Sequence, residues 1–288
     1  MTREWAVWED HARRFSVLKV AVLLVLLWPG VTLAVAFASG QLGGRPITQL
    51  IHGTGDWTVR FLLASLAVTP LRAVWDWQRV LLLRRMLGVG AACYAAVHFL
   101  LYWVDSSWRI GFVASEILQR FYLSIGFIAL CGLVALGVTS TDGWQKQMGR
   151  RWKALHRLVF PVTVLALFHY FLQSKADVTD AVFAAGVFAW LGFWRLAPRR
   201  WQNLLALPLG LAVLTPLATA LVEGAWYGLA TGVKASRVLA ANLVFDFPFG
   251  LRPSGNVLVL AAVVLAIAGA RRLWKKRGRM PAGARRPA

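Results

Sequence analysis

Three of the chain's five histidines, His98, His156 and His169, lie in long apolar runs whose interiors hold no carboxylate. An ionisable group at that depth is costly and marks a functional site by default. Imidazole is the least costly choice, because it is neutral near pH 7, keeps one lone pair free and binds iron, copper or zinc. Two such nitrogens, one from each of two neighbouring helices, are what a haem iron needs on its two faces. A proton relay in a haem-free transporter is the rival use, but relays also recruit intramembrane carboxylates, and Pro70 and Pro161 do not fall at matching positions in two halves. Cys93 and Cys131 sit in apolar runs without metal-type spacing. The chain has no phosphate-cradling glycine loop, no dinucleotide fingerprint and no Ser/His/Asp or H-E-x-x-H pattern. Its chemistry narrows to the buried imidazoles.

The elements that must position them are membrane helices. The 288 residues are 58% hydrophobic and 15% charged, far from the balance of a soluble domain. A span needs about 20 mostly apolar residues. Windows at 20–38, 55–71, 86–104, 121–138, 155–172, 178–196, 204–222 and 253–270 meet that need. The expected fold is therefore an all-α polytopic membrane protein, a helix bundle of about eight spans. The segment 223–252 has room for an interfacial helix but not for a folded module. Acidic Glu4, Glu9 and Asp10 argue against a cleaved signal, so the first apolar run is expected to stay as an anchor.

Orientation follows from the short connections. Arg3, Arg13, Arg14 and Lys19 precede the first span; Arg72, Arg79, Arg84 and Arg85 fill the second connection; Lys146, Arg150, Arg151 and Lys153 fill the fourth. These face the cytoplasm, and the alternate connections are poor in cations. Arg199, Arg200 and the basic tail then place both termini in the cytoplasm. The net charge of +20 is accounted for by this asymmetry and by anionic membrane lipid, with no nucleic-acid partner.

Depth selects among the histidines. At about 1.5 Å per residue, His98 lies roughly 20 Å from Arg84 and Arg85, His169 roughly 27 Å from Arg150 and Arg151, and His156 only about 8 Å from them. The third and fifth spans run the same way, so His98 and His169 are the better-matched pair of iron ligands. Tilt keeps His156 open as a third candidate. His156 and His169 are about 140° apart around an ideal helix, and Pro161 between them can kink it and re-aim one end. Two haems stacked across the bilayer would want a second partner histidine. The third span offers only His98, which favours one haem. Ala91 and Ala95 on the face of His98, and Ala166 beside His169, leave room for a flat ring. Arg60, expected at the outer end of the second span, serves either a haem propionate or the headgroup region.

Four stretches carry a family resemblance: "TGDWTVRFLLASLAVTPLR" (54–72), "LRRMLGVGAACYAAVHFLLYW" (83–103), "TSTDGWQKQMGRRWKALHRLVF" (139–160) and "LALFHYF" (165–171). In order and spacing they resemble the MsrQ family, within the ferric-reductase-like transmembrane group. The resemblance covers about half the chain, from Gly53 to Arg195. It matches His98 to the family's histidine in "HFLLY", His156 to that in "LHRL" and His169 to that in "HY". It implies a haem b, a flavin mononucleotide (FMN) and a bacterial inner-membrane location. It further implies delivery of electrons to a periplasmic molybdopterin methionine sulfoxide reductase, on which the substrate chemistry takes place. The electrons would come from the quinone pool or a cytoplasmic flavin reductase. The expected organisation is an anchor span and periplasmic loop at 1–52, a haem-binding core at 53–196, and an extension at 197–288 with two further spans.

Overall fold

The computed structural model describes residues 15–175, 177–202, 204–244 and 250–278. Arg3, Arg13, Arg14, the acidic residues among them and the tail beyond 278 lie outside the described residues. No β-strand occurs among the described residues, and the chain is all-α. The helices are α1 (Val17–Ala38), α2 (Pro46–Val74), α3 (Leu83–Asp105), α4 (Ile110–Gln119), α5 (Phe121–Val138), α6 (Asp142–Met148) and α7 (Arg150–His156). They continue with α8 (Val159–Ser174), α9 (Thr179–Leu196), α10 (Arg199–Gln202), α11 (Ala206–Thr231), α12 (Ala235–Asn242) and α13 (Pro253–Gly278).

Seven stretches are long and apolar enough to cross a membrane: α1, α2, α3 with the 3-10 turn before it, α5, α7 with α8, α11 and α13. The chain is thus a multi-pass membrane protein. The eighth expected span, 178–196, does form a helix, α9, but Asp180 and Arg195 in its end turns dilute its hydropathy. The second span begins nine residues earlier than hydropathy suggested. Pro46 fits the first helical position, where its missing N–H costs nothing, while Gln49, His52 and Thr54 hide the helix from an apolar count. In 223–252, where the sequence left room for an interfacial helix, α11 runs on to Thr231 and a short helix, α12, follows.

The chain divides into two compact units. The first holds the residues up to Leu66 and Leu82–Ala176. Within it α3 lies against α1 and α5, and α5 lies against α8, while α2 and α3 also meet through side chains. Ser65 Oγ donates to the Arg84 carbonyl, and the Phe61 and Tyr94 rings meet at 5.3 Å. These contacts set α2 antiparallel to α3. Tyr94 Oη donates to the Leu26 carbonyl at 2.8 Å beside the Pro29–Gly30 step, which docks α1. Ala92 approaches Gly137 and Phe99 approaches Phe127, so α3 and α5 are antiparallel. Gly132 takes Val162 and Gly126 takes His169, so α5 and α8 are antiparallel too. α3 and α8 therefore run the same way, as the depth argument required.

The second unit holds Ala67–Leu81 and the residues from Asp177 onward. In it α9, α11 and α13 pack on one another, with Gly186 of α9 receiving Thr219 and Val257. Buried Thr215 and Thr219 donate to carbonyls one turn back in their own helix, at 2.7 Å each, so polar side chains are carried without an orphaned group. Glu223, 2% exposed, pairs with Arg252 at 2.9 Å and accepts from Asn242, whose carbonyl accepts from Ser254. The Trp75 indole donates to the Val264 carbonyl, and Arg271 donates to the Trp75 carbonyl. The Lys275 ammonium beside Asp76 holds that carboxyl below the usual carboxylate range.

Candidate functional site

His98 stands on α3 within two turns of its end, and His169 has the corresponding place on α8. Their ring centroids are 6.4 Å apart with planes at 86°. His98 Nδ1 lies 2.8 Å from the Ile51 carbonyl oxygen on α2, and His169 Nδ1 lies 2.8 Å from the Tyr122 carbonyl oxygen on α5. A carbonyl can only accept, so each Nδ1 must carry the proton. Each Nε2 is then the nitrogen with a free lone pair. The separation between partners is 47 residues in both cases, so the two halves of the site are built alike.

The spacing can be tested against a bound metal. Two metal–imidazole bonds of about 2.0–2.1 Å, extended on each side by about 1.15 Å from nitrogen to ring centre, put two ring centres about 6.4 Å apart. The observed separation fits. Two imidazoles are too few for a bare ion, which takes about four protein ligands. Among the described residues no cluster of three or more His, Cys, Asp or Glu completes such a set. A metal already held by a four-nitrogen macrocycle needs two more ligands, and a haem is such a group.

Close approach is what permits the arrangement. Glycine stands one turn after each accepting carbonyl. A Cβ at Gly126 would meet His169 Nδ1 at 2.6 Å and Cε1 at 2.7 Å, and one at Gly55 would meet His98 Nδ1 at 3.1 Å. Sequence reasoning missed both glycines. The signal available was the repeated interval from glycine to histidine in two halves of one chain.

The other candidates lie differently. His156 ends α7, with its ring stacked on Trp152 at 3.8 Å. Its Nδ1 faces the Trp152 carbonyl at 3.1 Å, and its Nε2 lies 3.3 Å from Ser140 Oγ, whose hydroxyl donates to the Leu136 carbonyl at 2.7 Å rather than to the imidazole. Pro161 cannot donate to the Arg157 carbonyl four residues before it, and the helix is interrupted there, at Arg157–Leu158 between α7 and α8 within one candidate span. Arg60 is not at the outer end of its helix. Because α2 starts at Pro46, Arg60 falls midway along it, exposed, with its guanidinium carbon 4.9 Å from the Trp57 ring centre. Ala91 and Ala95, expected to leave room for a flat ring, are 0% and 5% exposed and are covered by protein packing. Arg85 reaches across to Asp142 and Gln145, tying the start of α3 to α6.

A family model described as ferric reductase like transmembrane component matches residues 54–167. A protein-methionine-sulfoxide reductase heme-binding subunit MsrQ from Rhodospirillum rubrum is 42% identical over 191 residues, which are 66% of this chain and 89% of that protein. Proteins of the same name from Azospira oryzae and Herminiimonas arsenicoxydans are 36% and 34% identical, with 82% and 92% of their lengths covered. No solved structure matches. With identity at this level across most of each relative's length, the chain belongs to the MsrQ family.

Proposed function

We propose that the chain is a haem b electron-transfer subunit, in which His98 and His169 would hold one haem iron between their Nε2 atoms. The observation that carries this is the pair of imidazoles 6.4 Å apart, each with Nδ1 committed to a backbone carbonyl. Bound haem supplies a one-electron carrier. The carbonyls of Ile51 and Tyr122 fix the tautomer and orientation of each ring and make Nε2 more basic toward the metal. Neither ring can pass a proton from one nitrogen to the other while its Nδ1–H is so held, which speaks against the relay reading. His156 and Arg60 are left out of the iron's ligand set.

The relatives' names support a role beside a methionine sulfoxide reductase. In the reading proposed here that partner is a periplasmic molybdenum-dependent enzyme, and electrons enter from the quinone pool or a cytoplasmic flavin reductase. The location is the bacterial inner membrane, with both termini cytoplasmic, which requires α9 to cross along with the other seven spans. The proposed organisation is an anchor span and periplasmic loop at 1–52, a haem-binding core at 53–196 and an extension at 197–288, with α2 starting at Pro46 so that Ile51 joins the core. No described residue set has a chemistry that demands FMN, and the reading does not rely on it.

The test is the visible spectrum of protein purified from haem-replete cells, oxidised and dithionite-reduced. We expect low-spin haem b bands that disappear in His98→Ala and in His169→Ala and survive in His156→Ala. A colourless wild-type preparation would overturn the proposal.

A further inference from the structure

We infer that Gly126 and Gly55 are positioning residues that set how the two imidazoles meet the metal, an inference that rests on the ligation proposed above. Each ring reaches its carbonyl past a turn of the facing helix that presents no side chain. At Gly126 a methyl would overlap the His169 ring, at 2.6 Å from Nδ1, 2.7 Å from Cε1 and 3.0 Å from Cγ. The ring would have to retreat by the better part of an ångström. A flexible side chain elsewhere would simply turn away. Here the ring is held by the Tyr122 carbonyl on one side and, when the metal is bound, would be held by it on the other, so retreat would stretch or break one of those bonds. Ligand geometry has a tolerance of about 0.5 Å, and loss of a partner that orients a metal ligand commonly lowers affinity about 10- to 100-fold.

The two positions are unequal. At Gly55 the added methyl would stand 3.1 Å from His98 Nδ1 and 3.2 Å from Cε1, a contact relieved by a shift of a few tenths of an ångström. That shift lengthens the bond from Nδ1 to the Ile51 carbonyl without dislodging the ring. A weaker hydrogen bond at Nδ1 makes Nε2 a poorer electron donor, which favours the reduced metal. Gly55→Ala should therefore keep the pigment and raise its reduction potential, whereas Gly126→Ala should lose most of it.

Gly132 separates this from ordinary helix packing. It lies on the same helix against the same neighbour, and a Cβ there would meet Val162 Cγ2 at 2.4 Å, as tight a contact as at Gly126 but with no ligand involved. The experiment compares wild type, Gly126→Ala, Gly55→Ala and Gly132→Ala in full-length protein. It reads the amount of folded protein in membranes, the haem-to-protein ratio, the low-spin EPR signal and the midpoint potential. We expect Gly132→Ala to lower the yield while leaving the ratio, signal and potential of the surviving protein unchanged. We expect Gly126→Ala to drop the haem ratio by half or more, and Gly55→Ala to move the EPR signal and shift the potential upward. If Gly126→Ala fails to accumulate, Gly55→Ala decides alone: an unmoved signal and potential overturn the inference. So does a Gly132→Ala protein that changes signal and potential as the ligand-facing variants do. Should wild type carry pigment that His98→Ala or His169→Ala leaves intact, the ligation itself has failed rather than the role of the glycines.

Discussion

At the scale of the residue, a histidine's use is decided by what its ring faces. His98 and His169 each give Nδ1 to a carbonyl and stand ring to ring at 6.4 Å, while His156, with Nδ1 likewise toward a carbonyl, is stacked on the Trp152 ring at 3.8 Å. That difference underlies the expectation that only the first two are needed for pigment. It also gives a spectroscopic prediction. With ring planes at 86°, each imidazole would act on a different one of a bound iron's two π-type d orbitals and would leave them nearly equal in energy. Oxidised protein should then give a strongly anisotropic low-spin EPR signal with a large leading g value. An ordinary rhombic spectrum would mean that the ring planes lie close to parallel in the loaded protein.

Elements position these residues through close contacts between antiparallel helices. In the first unit the contacts are glycine on ring or glycine on methyl, as with Gly126 on His169 and Gly137 on Ala92. In the second unit a polar lock joins α11, α12 and the start of α13 through Glu223, Asn242, Ser254 and Arg252. Its two charged members are not equivalent, because the Glu223 side chain is 2% exposed and that of Arg252 is 40% exposed. Removing Arg252 strands a buried carboxylate, and breaking a buried pair in that way costs about 3–5 kcal/mol. Removing the charge of Glu223 leaves a cation that can turn to headgroups or water. We predict that Arg252→Met lowers the midpoint of denaturation in detergent clearly more than Glu223→Gln does. Equal losses, or a larger loss for Glu223→Gln, would show that the arginine is the more deeply desolvated partner in the membrane.

For the whole molecule, the prediction concerns topology. Basic connections at Arg72–Arg85 and Lys146–Lys153 assign the same side to both, and the proposal that both ends share that side depends on α9 crossing. A reporter that fluoresces only in the cytoplasm, fused after Ala288, should be bright, and an enzyme reporter active only in the periplasm should be silent there. The opposite pair of results would mean that α9, with Asp180 and Arg195 in its end turns, lies within its unit without crossing. The aligned region shared with the Rhodospirillum rubrum relative is 66% of this chain, so about a third of the chain lies outside it.

The sequence by itself determined the class of molecule, because long apolar windows and segregated cations are one-dimensional facts that a bilayer reads directly. It also matched His98 with His169 in depth, since depth along parallel helices is only a count of residues, and the two rings do come together. It did not reveal where α2 begins, because Gln49, His52 and Thr54 are polar yet helical, and so it misplaced Arg60 by two turns. It could not show that the His156 ring stacks on Trp152 or that Gly55 and Gly126 face the two rings. Those depend on which turn of one helix meets which turn of another, and that register is fixed by the close packing of α2 on α3 and α5 on α8. Only the tertiary structure brings a carbonyl to an imidazole 47 residues away, twice, and sets the two rings 6.4 Å apart.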